Sequence, residues 1–499
     1  MLSKKTVAIF ALTAVGLLVL LGTPMHLGEW SELNLSSFHE DPHDNQHAPQ
    51  GAFGDNLAHN HHAGFTSYHG TRPEPDDYLS VCENVPDTSN FLLVMKTGAS
   101  ESFARIPTQL MTMLKCLPDF LIFGDANQNI GGYTVFDSLE KVLPEVMEGN
   151  PDFDLYRRQK TCEVDIDTCN KVGDPAKEGW DLDKYKNLHI AERAYAMRPG
   201  YDFYVFVDAD TYVLLPNMAR WLRQIDPNKK RYFGSVSMLN DFPFGHGGSG
   251  YIVSRAAMED LVGKNPGLGN MYDERASKEC CGDYVFAVAI KEKSDVGVEQ
   301  MWPTINGDKS TTIPYGPSHW CQPITTMHHM NSEEIDAFWK FERDFYQAQD
   351  QHREPQPLLI KDIYHRYMAP KITSKRMDWD NNSEDRFYVN RTDPNNLNME
   401  DWKMDRMKKQ SEYNAHEELA HLSPEHCRAA CRSVSYKECF QYKFEDGVCS
   451  FANSIKLGKP VKKKSNEAKR VVSGWDVAKI ESWVAKQKCT TVDWPGIDK

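Results

Sequence analysis

The segment 201–215, with the sequence YDFYVFVDADTYVLL, constrains the fold more than any other stretch of this chain. Its apolar, β-prone run Phe203–Val207 is followed at once by Asp208 and Asp210. A continuous apolar run of this length is typical of a strand buried on both faces of a parallel sheet. Ligands bind at the carboxyl ends of such strands, where residues i and i+2 point the same way. The two carboxylates predict a Mg²⁺ or Mn²⁺ site shared with substrate phosphates; a charged exit from the strand is the alternative.

A strand–helix–strand unit precedes this central strand. The apolar run Phe91–Met95 ends at Lys96, residues 105–115 are predicted to be helical, and the next apolar run, Phe120–Phe123, leads to Asp125. This spacing predicts a βαβ unit in a parallel sheet with a right-handed crossover. Lys96 then lies where it can meet a phosphate, and Asp125 where it can meet a nucleoside. A polar loop lysine and a turn aspartate are the alternative.

Three later motifs carry candidate functional groups. The segment 244–251, FGHGGSGY, places four glycines within six residues, which indicates a tight turn or a close backbone approach to a ligand. Asp283 stands near the start of a predicted apolar helix, where an acid is also favourable for the helix alone. His328 and His329 end a strand-like stretch. Because adjacent residues of an extended chain point to opposite faces, we expect at most one of them to join the Asp pair.

The composition is that of an acidic globular protein. The 499 residues predict two or three domains, and a hydrophobic content of 40% with 11% aromatics indicates real cores. A net charge of -14 leaves no dominant basic face, which argues against a nucleic-acid partner.

The N-terminus predicts a membrane anchor. Two lysines precede the uncharged run Thr6–Thr23, which is predicted to span the membrane once, with residues 1–5 cytoplasmic and the remainder luminal. A cleaved signal peptide is the alternative. Residues 24–78 are poor in aliphatic side chains and predict a flexible stem. The glycosylation sequons, which agree with luminal exposure, begin at Asn34, Asn381 and Asn390. Twelve cysteines in that compartment predict disulfides.

Six segments between roughly residues 82 and 345 follow one another in an order that is specific to a family: FLLVMKTG, WDLDKYKNLHIAERAY, FYVFVDADTYVLLPNMARWL, GHGGSGYIVSRAAMEDL, CCGDYVFAVAI and TMHHMNSEEI. They resemble the segments of glycosyltransferase family 31, the Fringe and core 1 β1,3-galactosyltransferase group, in a fungal version. The resemblance implies an α/β, GT-A catalytic domain over residues 79–345. It also implies a UDP-sugar donor, Mn²⁺ (with Mg²⁺ as the alternative), inversion at the anomeric carbon, and a Golgi or ER location.

The resemblance also implies roles for individual residues. Asp208 and Asp210 match the D-x-D pair that bridges metal to the UDP diphosphate, His328 matches the remaining protein ligand, and Asp283 matches the general base. The positions that match the surroundings of the nucleotide-sugar are Lys96, Thr97, Arg105, Asp125, Gly247, Gly248 and Gly250.

Two positions depart from the family pattern. Ala209 stands where the family often has a third acid, and Gly282 replaces the acid before Asp283. The metal pair survives the first change, and the second leaves a single carboxylate to act as base. One carboxylate is enough for inversion, because it has only to take the proton of the attacking acceptor hydroxyl while a metal neutralises the leaving diphosphate.

The C-terminal third is predicted to hold a connector and a small disulfide-stapled domain. Residues 346–423 are polar with helical patches, and the segment 424–499 begins with four cysteines, between residues 427 and 449, spaced C-x₃-C-x₇-C-x₉-C. Zinc prefers a C-x₂-C spacing, so disulfides are favoured over a metal. HCRAACRSVSYKECFQYKFEDGVCSF resembles a PAN/apple module, which implies the pairs Cys427–Cys449 and Cys431–Cys439. Such modules bind protein or carbohydrate; simple stabilisation is the alternative.

Three further pairings are expected among the remaining cysteines: Cys82–Cys116, Cys162–Cys169, and Cys321 with Cys280 or Cys281.

Together these observations predict a UDP-galactose-dependent β1,3-galactosyltransferase that acts on a glycan or glycoprotein. A Fringe-like N-acetylglucosamine or glucose transferase is the alternative within the enzyme class. A non-catalytic glycan-binding scaffold and a metal-dependent phosphatase are the alternatives outside it, and the phosphatase needs ligands for a second metal. A homodimer is left open.

Overall fold

The computed structural model describes residues 81–497, except 351, 391, 393–398 and 467–468. Residues 79–499 form one compact unit. The segments predicted to be a cytoplasmic tail, a membrane span and a stem, residues 1–78, lie outside the described residues.

The predicted location needs correction. Within the part of the chain that the structure describes, no helix has both the length and the apolar character needed to cross a membrane. The prediction of a single-pass Golgi or ER membrane protein is therefore not supported, and the segment 6–23 on which it rested is not among the described residues.

The first part of the unit is built from twelve strands and eleven α-helices. The strands are β1 Phe91–Lys96, β2 Phe120–Gly124, β3 Gln128–Ile130, β4 Tyr133–Asp137, β5 Phe203–Asp208, β6 Tyr212–Val213, β7 Tyr232–Gly234, β8 Val236–Leu239, β9 Phe242–Gly245, β10 Tyr251–Ser254, β11 Glu299–Gln300 and β12 Thr326–Met327. The helices are α1 Ser102–Met111, α2 Pro144–Met147, α3 Asp154–Lys160, α4 Ile166–Asn170, α5 Pro175–Asp183, α6 Lys186–Met197, α7 Leu215–Leu222, α8 Arg255–Met258, α9 Leu268–Ala276, α10 Gly282–Ser294 and α11 Ser332–Gln347.

Among its described residues, the second part, after residue 347, contains seven strands and four α-helices. The strands are β13 Arg376–Met377, β14 Trp379–Asp380, β15 Arg386–Tyr388, β16 Gln441–Glu445, β17 Val448–Ala452, β18 Lys459–Pro460 and β19 Val472–Trp475. The helices are α12 Ile360–Ile363, α13 Asp401–Met404, α14 Pro424–Ser433 and α15 Val477–Val484.

An eight-stranded mixed sheet forms the centre of the first part, in the order β11-β7-β10-β5-β1-β2-β4-β3. β1 pairs in parallel with both β2 and β5, which confirms the parallel βαβ arrangement. β10 runs antiparallel to β5 and β7, so the sheet is not purely parallel. The fold class is therefore mixed α/β, as predicted.

The central strand β5 is buried on both faces, as its continuous apolar sequence predicts. Phe203, Val205 and Val207 pack into one hydrophobic cluster, whereas Tyr204 and Phe206 pack into a second cluster on the opposite side. Each face is covered by helices, which is the condition that permits an uninterrupted apolar strand.

The parallel register of β1 and β5 assembles the functional edge of the sheet. Lys96, the last residue of β1, pairs directly with Asp208, the last residue of β5. The helix after β1 begins at Ser102 and ends at Met111, three residues earlier at its start than the predicted 105–115. This shift places Arg105 in the second turn of the helix rather than at its start.

The second part of the chain centres on a five-stranded antiparallel sheet, in the order β13-β19-β16-β17-β15. The helix α14, which carries Cys427 and Cys431, packs on β16 and β17. Two of the five strands, β13 and β15, come from the segment 346–423 that was expected to be a helical connector. That segment therefore belongs to the sheet, because β13 pairs with β19 at one edge and β15 pairs with β17 at the other.

Six disulfides link the twelve cysteines. Four agree with expectation: Cys82–Cys116, Cys162–Cys169, Cys427–Cys449 and Cys431–Cys439. The expected pairing of Cys321 with Cys280 or Cys281 is wrong. Cys321 pairs with Cys489 across 168 residues, and Cys280 pairs with Cys281.

The C-terminal segment packs against the first part of the unit. The Trp221 indole N–H donates a hydrogen bond to the carbonyl oxygen of Pro495 at 2.8 Å, and the rings of Trp320 and Trp483 pack edge to face with centroids 4.9 Å apart. One continuous hydrophobic cluster includes β5 residues together with Trp475 and Trp483. The two sheets are therefore joined through a shared core as well as through Cys321–Cys489.

A buried acid in this core predicts a pH dependence of stability. Glu342 of α11 is buried and accepts a hydrogen bond from the Tyr212 hydroxyl, and burial raises the pKa of Glu342 to about 8 from its usual 4.5. The folded state therefore keeps this proton up to about pH 8, whereas the unfolded state releases it near pH 4.5. The free energy of unfolding is thus highest below the lower value and falls as pH rises between the two, by up to about 1.4 kcal/mol per pH unit from this one group.

Glu342→Gln should remove that part of the slope, because the amide oxygen can still accept the Tyr212 hydrogen bond and carries no proton to lose. Urea unfolding between pH 5 and 8 measures the slope, and Glu333→Gln, an exposed acid of the same helix, is the control. Equal slopes in the wild type and in Glu342→Gln contradict the assignment.

Candidate functional site

Asp210 and His328 are brought together by a short antiparallel ladder. β6 pairs with β12, with Tyr212 opposite Met327, and the Met330 N–H donates to the Asp210 carbonyl oxygen at 3.0 Å. His328 Nε2 then lies 3.3 Å from Asp210 Oδ1. Two of the predicted metal ligands are therefore neighbours.

His329 lies on the same side as His328, against the expectation that at most one histidine would reach this site. The φ of His329, 60°, is left-handed. The side chains therefore do not alternate between opposite faces at this residue, as they would in an extended chain. The ring centroids are 3.8 Å apart, and His329 Nδ1 lies 4.0 Å from Asp210 Oδ2. Partial burial and the neighbouring His328 lower the pKa of the His329 imidazole, although more than half of its side chain is exposed.

Asp210 is held as an anion. Burial acts to raise the pKa of the Asp210 carboxyl, but the hydrogen bond and charge of His328, with Arg105, hold that pKa below its usual value. Arg105 Nη1 lies 3.6 Å from Asp210 Oδ2 and donates to the Met330 carbonyl oxygen at 3.2 Å. Arg105 therefore spans the β5 end and the His328 segment, at the position predicted for a UDP contact.

Asp208 lies with a lysine rather than with the histidines. Its Oδ1 is 3.3 Å from Lys96 Nζ, which also contacts Asp183 Oδ2 at 2.5 Å. Burial acts against the charge of Lys96, yet these two carboxylates hold the pKa of its ammonium above the usual value. Of the three predicted ligands, Asp210 and His328 therefore cluster with His329. Asp208 instead forms an ion pair with Lys96.

A chain of buried charges continues from Lys96 into the sheet. Lys186 Nζ lies 3.5 Å from Asp183 Oδ1 and 3.6 Å from Asp125 Oδ2, and it donates to the Thr97 carbonyl oxygen at 3.2 Å. Asp125 is 0% exposed and accepts a hydrogen bond from the Ala99 backbone N–H. Asp125 and Thr97, both predicted to line a nucleotide pocket, thus support the loop after β1 from behind.

The glycine-rich segment, residues 246–249, connects the candidate base with the candidate metal ligand. The Gly247 N–H donates to Asp283 Oδ2 at 2.7 Å. A Cβ placed on Gly248 would lie 2.1 Å from the His328 ring, so the imidazole rests directly on this residue. The φ of Gly250, 85°, is a conformation that side chains strongly disfavour. At each of the three predicted glycines, the surrounding structure therefore disfavours a residue with a side chain.

Asp283 is in the first turn of α10, where the Tyr284 N–H also donates to its Oδ1 at 2.8 Å. Burial raises the pKa of the Asp283 carboxyl, while the Gly247 hydrogen bond and the charges of His246 and Lys96 partly oppose the rise. A carboxylate with a raised pKa is a stronger proton acceptor, which suits a general base.

The structure explains why Gly282 stands where the resembled family has an acid. A Cβ at this position would lie 2.9 Å from Asn187 Oδ1, 3.0 Å from the Lys184 carbonyl oxygen and 3.1 Å from that of Asp183. No side chain fits here without movement of the junction between α5 and α6. The site is therefore built with a single carboxylate at the start of α10.

Several residues of the site were not anticipated from the sequence. Gln109 Nε2 donates to the carbonyl oxygens of Ala209 and Thr211 at 2.8 and 3.1 Å, which fixes the turn that carries Asp210. His246 Nδ1 accepts from the Ser249 N–H at 3.1 Å, and its ring packs edge to face on His328 with centroids 5.6 Å apart. Asp183 belongs to the motif WDLDKYK. The acids of this motif could have marked it as a candidate partner for a cationic residue of the site.

The contact between Gly248 and His328 gives a sharp prediction. Gly248→Ala should displace the imidazole and weaken divalent-metal binding by about 10–100-fold, as the loss of ligand support typically does. Calorimetric titration with Mn²⁺ measures the affinity. The matched control is Gly247→Ala, whose Cβ would lie 3.2 Å from Asp283 Oδ2 and does not meet His328. Equal metal affinity in both variants would show that His328 does not depend on this contact.

Comparison with known proteins adds no relative. Neither a scan against protein-family models nor a search of curated proteins finds a match to this chain. The fold and site define a mixed α/β protein with an Asp–His cluster and a partly buried carboxylate, Asp283, near the carboxyl edge of its main sheet.

Proposed function

We propose that this protein is a metal-dependent inverting glycosyltransferase with a GT-A-type catalytic domain. Its donor is UDP-galactose, and the new bond is a β1,3 linkage to an acceptor glycan. The observation that carries the proposal is the joint contact of residues 246–249 with the base candidate Asp283 and the ligand candidate His328. Such a loop holds a proton acceptor and a metal ligand close together, as transfer from a nucleotide-sugar needs.

The residues present fit a divalent cation. Asp210, His328 and His329 offer three ligand atoms that all lie within 4.8 Å of one another. A cation bound here would neutralise negative charge on the departing diphosphate.

Cationic side chains flank this cluster where a diphosphate would lie. Lys96 forms an ion pair with Asp208, and Arg105 forms one with Asp210. The donor diphosphate competes with Asp208 for Lys96, because the diphosphate as a whole carries more negative charge than one carboxylate. Once released from Lys96, the Asp208 carboxylate is free to turn toward the cation site, while Asp183 keeps the ammonium in place.

Asp283 performs the proton transfer. The acceptor hydroxyl oxygen attacks the anomeric carbon, forming the new C–O bond, while the bond from that carbon to the β-phosphate oxygen breaks and its electron pair leaves with UDP. The hydroxyl proton passes to the Asp283 carboxylate. The Gly247 and Tyr284 N–H groups orient that carboxylate before and after the transfer.

The second sheet, with its helix α14 and the two disulfides Cys427–Cys449 and Cys431–Cys439, is proposed to be a PAN/apple-like module. It shares a core with the first part, so its role includes stabilising the catalytic sheet. Selection of the acceptor glycan is the second role proposed for it.

The test is a screen of UDP-sugars with the purified protein, measuring UDP release with and without Mn²⁺ and with and without an N-acetylgalactosamine glycoside. Mn²⁺-dependent turnover of UDP-galactose is the expected result. Turnover of UDP-N-acetylglucosamine or UDP-glucose instead would replace the donor and keep the mechanism. Absence of both turnover and UDP binding would overturn the proposal in favour of a non-catalytic glycan-binding scaffold.

A further inference from the structure

The side chains of Asp210, His328 and His329 have the spacing of ligands in a single metal coordination sphere. His328 Nε2 lies 3.3 Å from Asp210 Oδ1, and His329 Nδ1 lies 4.0 Å from Asp210 Oδ2. Two donors that each stand about 2.1 Å from one ion are about 3.0 Å apart when adjacent in an octahedron and about 4.2 Å apart when opposite. Each distance is measured to a different oxygen of Asp210 and falls within this interval. One ligand atom from each of the three residues lies within 4.8 Å of the others, so one ion can reach all three residues after a small movement of the side chains.

His329 is built into the site by its backbone. Its left-handed φ of 60° turns its ring toward Asp210 and stacks it on His328. Such a conformation is uncommon for residues other than glycine and is often found at functional sites. The His329 side chain is 59% exposed, so an ion can approach it from solvent, whereas the His328 side chain is buried.

We propose that the cation site of this protein is a two-histidine, one-carboxylate centre formed by Asp210, His328 and His329. It selects a transition-metal ion over Mg²⁺. Imidazole nitrogens suit first-row transition metals, whereas Mg²⁺ prefers an all-oxygen shell with near-ideal octahedral geometry. The affinity should rise from Mn²⁺ to Co²⁺ and to Zn²⁺, with Mg²⁺ the weakest. The inference rests on the proposed function only in placing the cation beside the donor diphosphate.

Counting coordinated imidazoles tests the assignment directly. Electron spin-echo spectroscopy of the full chain loaded with Mn²⁺ or Cu²⁺ reports nitrogen donors without any substrate. Two imidazoles are expected in the wild type and one in His329→Asn. Asparagine tolerates the left-handed backbone best among ordinary residues, so this variant removes the imidazole without straining the turn. His416→Ala, an exposed histidine of the second part, should keep two. A single imidazole in the wild type overturns the proposal.

Metal selectivity gives a second readout. His329→Asn should weaken Co²⁺ and Zn²⁺ binding by more than the roughly 10–100-fold that loss of a supporting residue causes, and it should leave Mg²⁺ binding nearly unchanged. His329→Asp restores a ligand, but a hard oxygen one, and should shift the preference toward Mg²⁺. Equal weakening of every ion in both variants contradicts a ligand role for His329.

The two proposals fail separately in these experiments. Two imidazoles on the ion with no UDP-sugar binding would leave the centre in place and overturn the proposed function. UDP-sugar turnover with only one imidazole would leave the function in place and remove His329 from the centre.

Discussion

Asp283→Asn should lower kcat for sugar transfer by about 10²–10⁴-fold, the range that a positioned general base typically contributes. The amide keeps the shape of the side chain and an oxygen that can accept the Gly247 or Tyr284 hydrogen bond, but it cannot take the acceptor proton. Mn²⁺-dependent UDP binding should stay close to the wild-type value, because Asp283 is outside the Asp210 cluster. Steady-state kinetics and calorimetric UDP titration measure the two quantities on the same preparation.

The control for this variant is Glu333→Gln, an exposed acid in the first turn of α11, which should retain full activity. A thermal melt near that of the wild type shows that loss of activity is not loss of fold. Near-normal kcat in Asp283→Asn would mean that the base lies elsewhere.

Asp210→Ala should weaken Mn²⁺ binding by about 100-fold or more, since loss of a direct ligand exceeds the 10–100-fold effect of a supporting residue. Asp210 is the one carboxylate in the Asp–His cluster, so the two imidazoles are left without an anionic ligand. UDP binding should in consequence lose its dependence on Mn²⁺, as followed by calorimetry with and without the ion.

Asp167→Ala, which removes an exposed acid of α4, is the matched control and should bind Mn²⁺ normally. Metal-dependent UDP binding that persists in Asp210→Ala would remove the cation from this cluster. A similar loss in Asp167→Ala would point to a general effect of charge.

The sequence was sufficient for the parts of the fold that depend on local pattern. The uninterrupted apolar run of β5 predicts burial on both faces, and the strand–helix–strand spacing predicts the parallel pairing with β1. The pairing of Lys96 with Asp208 then follows from both lying at strand ends. These properties follow from periodicity and length, which are readable without any tertiary contact.

Features that depend on a single backbone angle or on distant contacts were not predictable. His329 joins the cluster because its φ is positive. The residue type does not predict this angle, since histidine adopts it only occasionally. Cys321–Cys489 joins residues 168 apart, and cysteine spacing cannot select such a partner. The sheet of the second part recruits β13 and β15 from a polar segment, whose short strands carry little periodic signal.

The ion-pair chain of Asp183, Lys186 and Asp125 shows the same limit. Its members come from the β2 edge and from the junction of α5 with α6, and only packing reveals that their charges meet. The sequence places Asp125 where it can meet a nucleoside, with a turn aspartate as the alternative. In the structure its carboxylate is buried and accepts a hydrogen bond from the Ala99 backbone N–H, a contact that the strand-end position alone does not predict.

The most direct test of the central claim is nuclear magnetic resonance of the wild-type reaction with UDP-galactose, Mn²⁺ and an N-acetylgalactosamine glycoside. The proposed mechanism predicts a β-linked galactose on the 3-hydroxyl, formed from the α-linked donor and only when the metal is present. Formation of an α-linked product, or no transfer from any UDP-sugar while Mn²⁺ and UDP are bound, would contradict it.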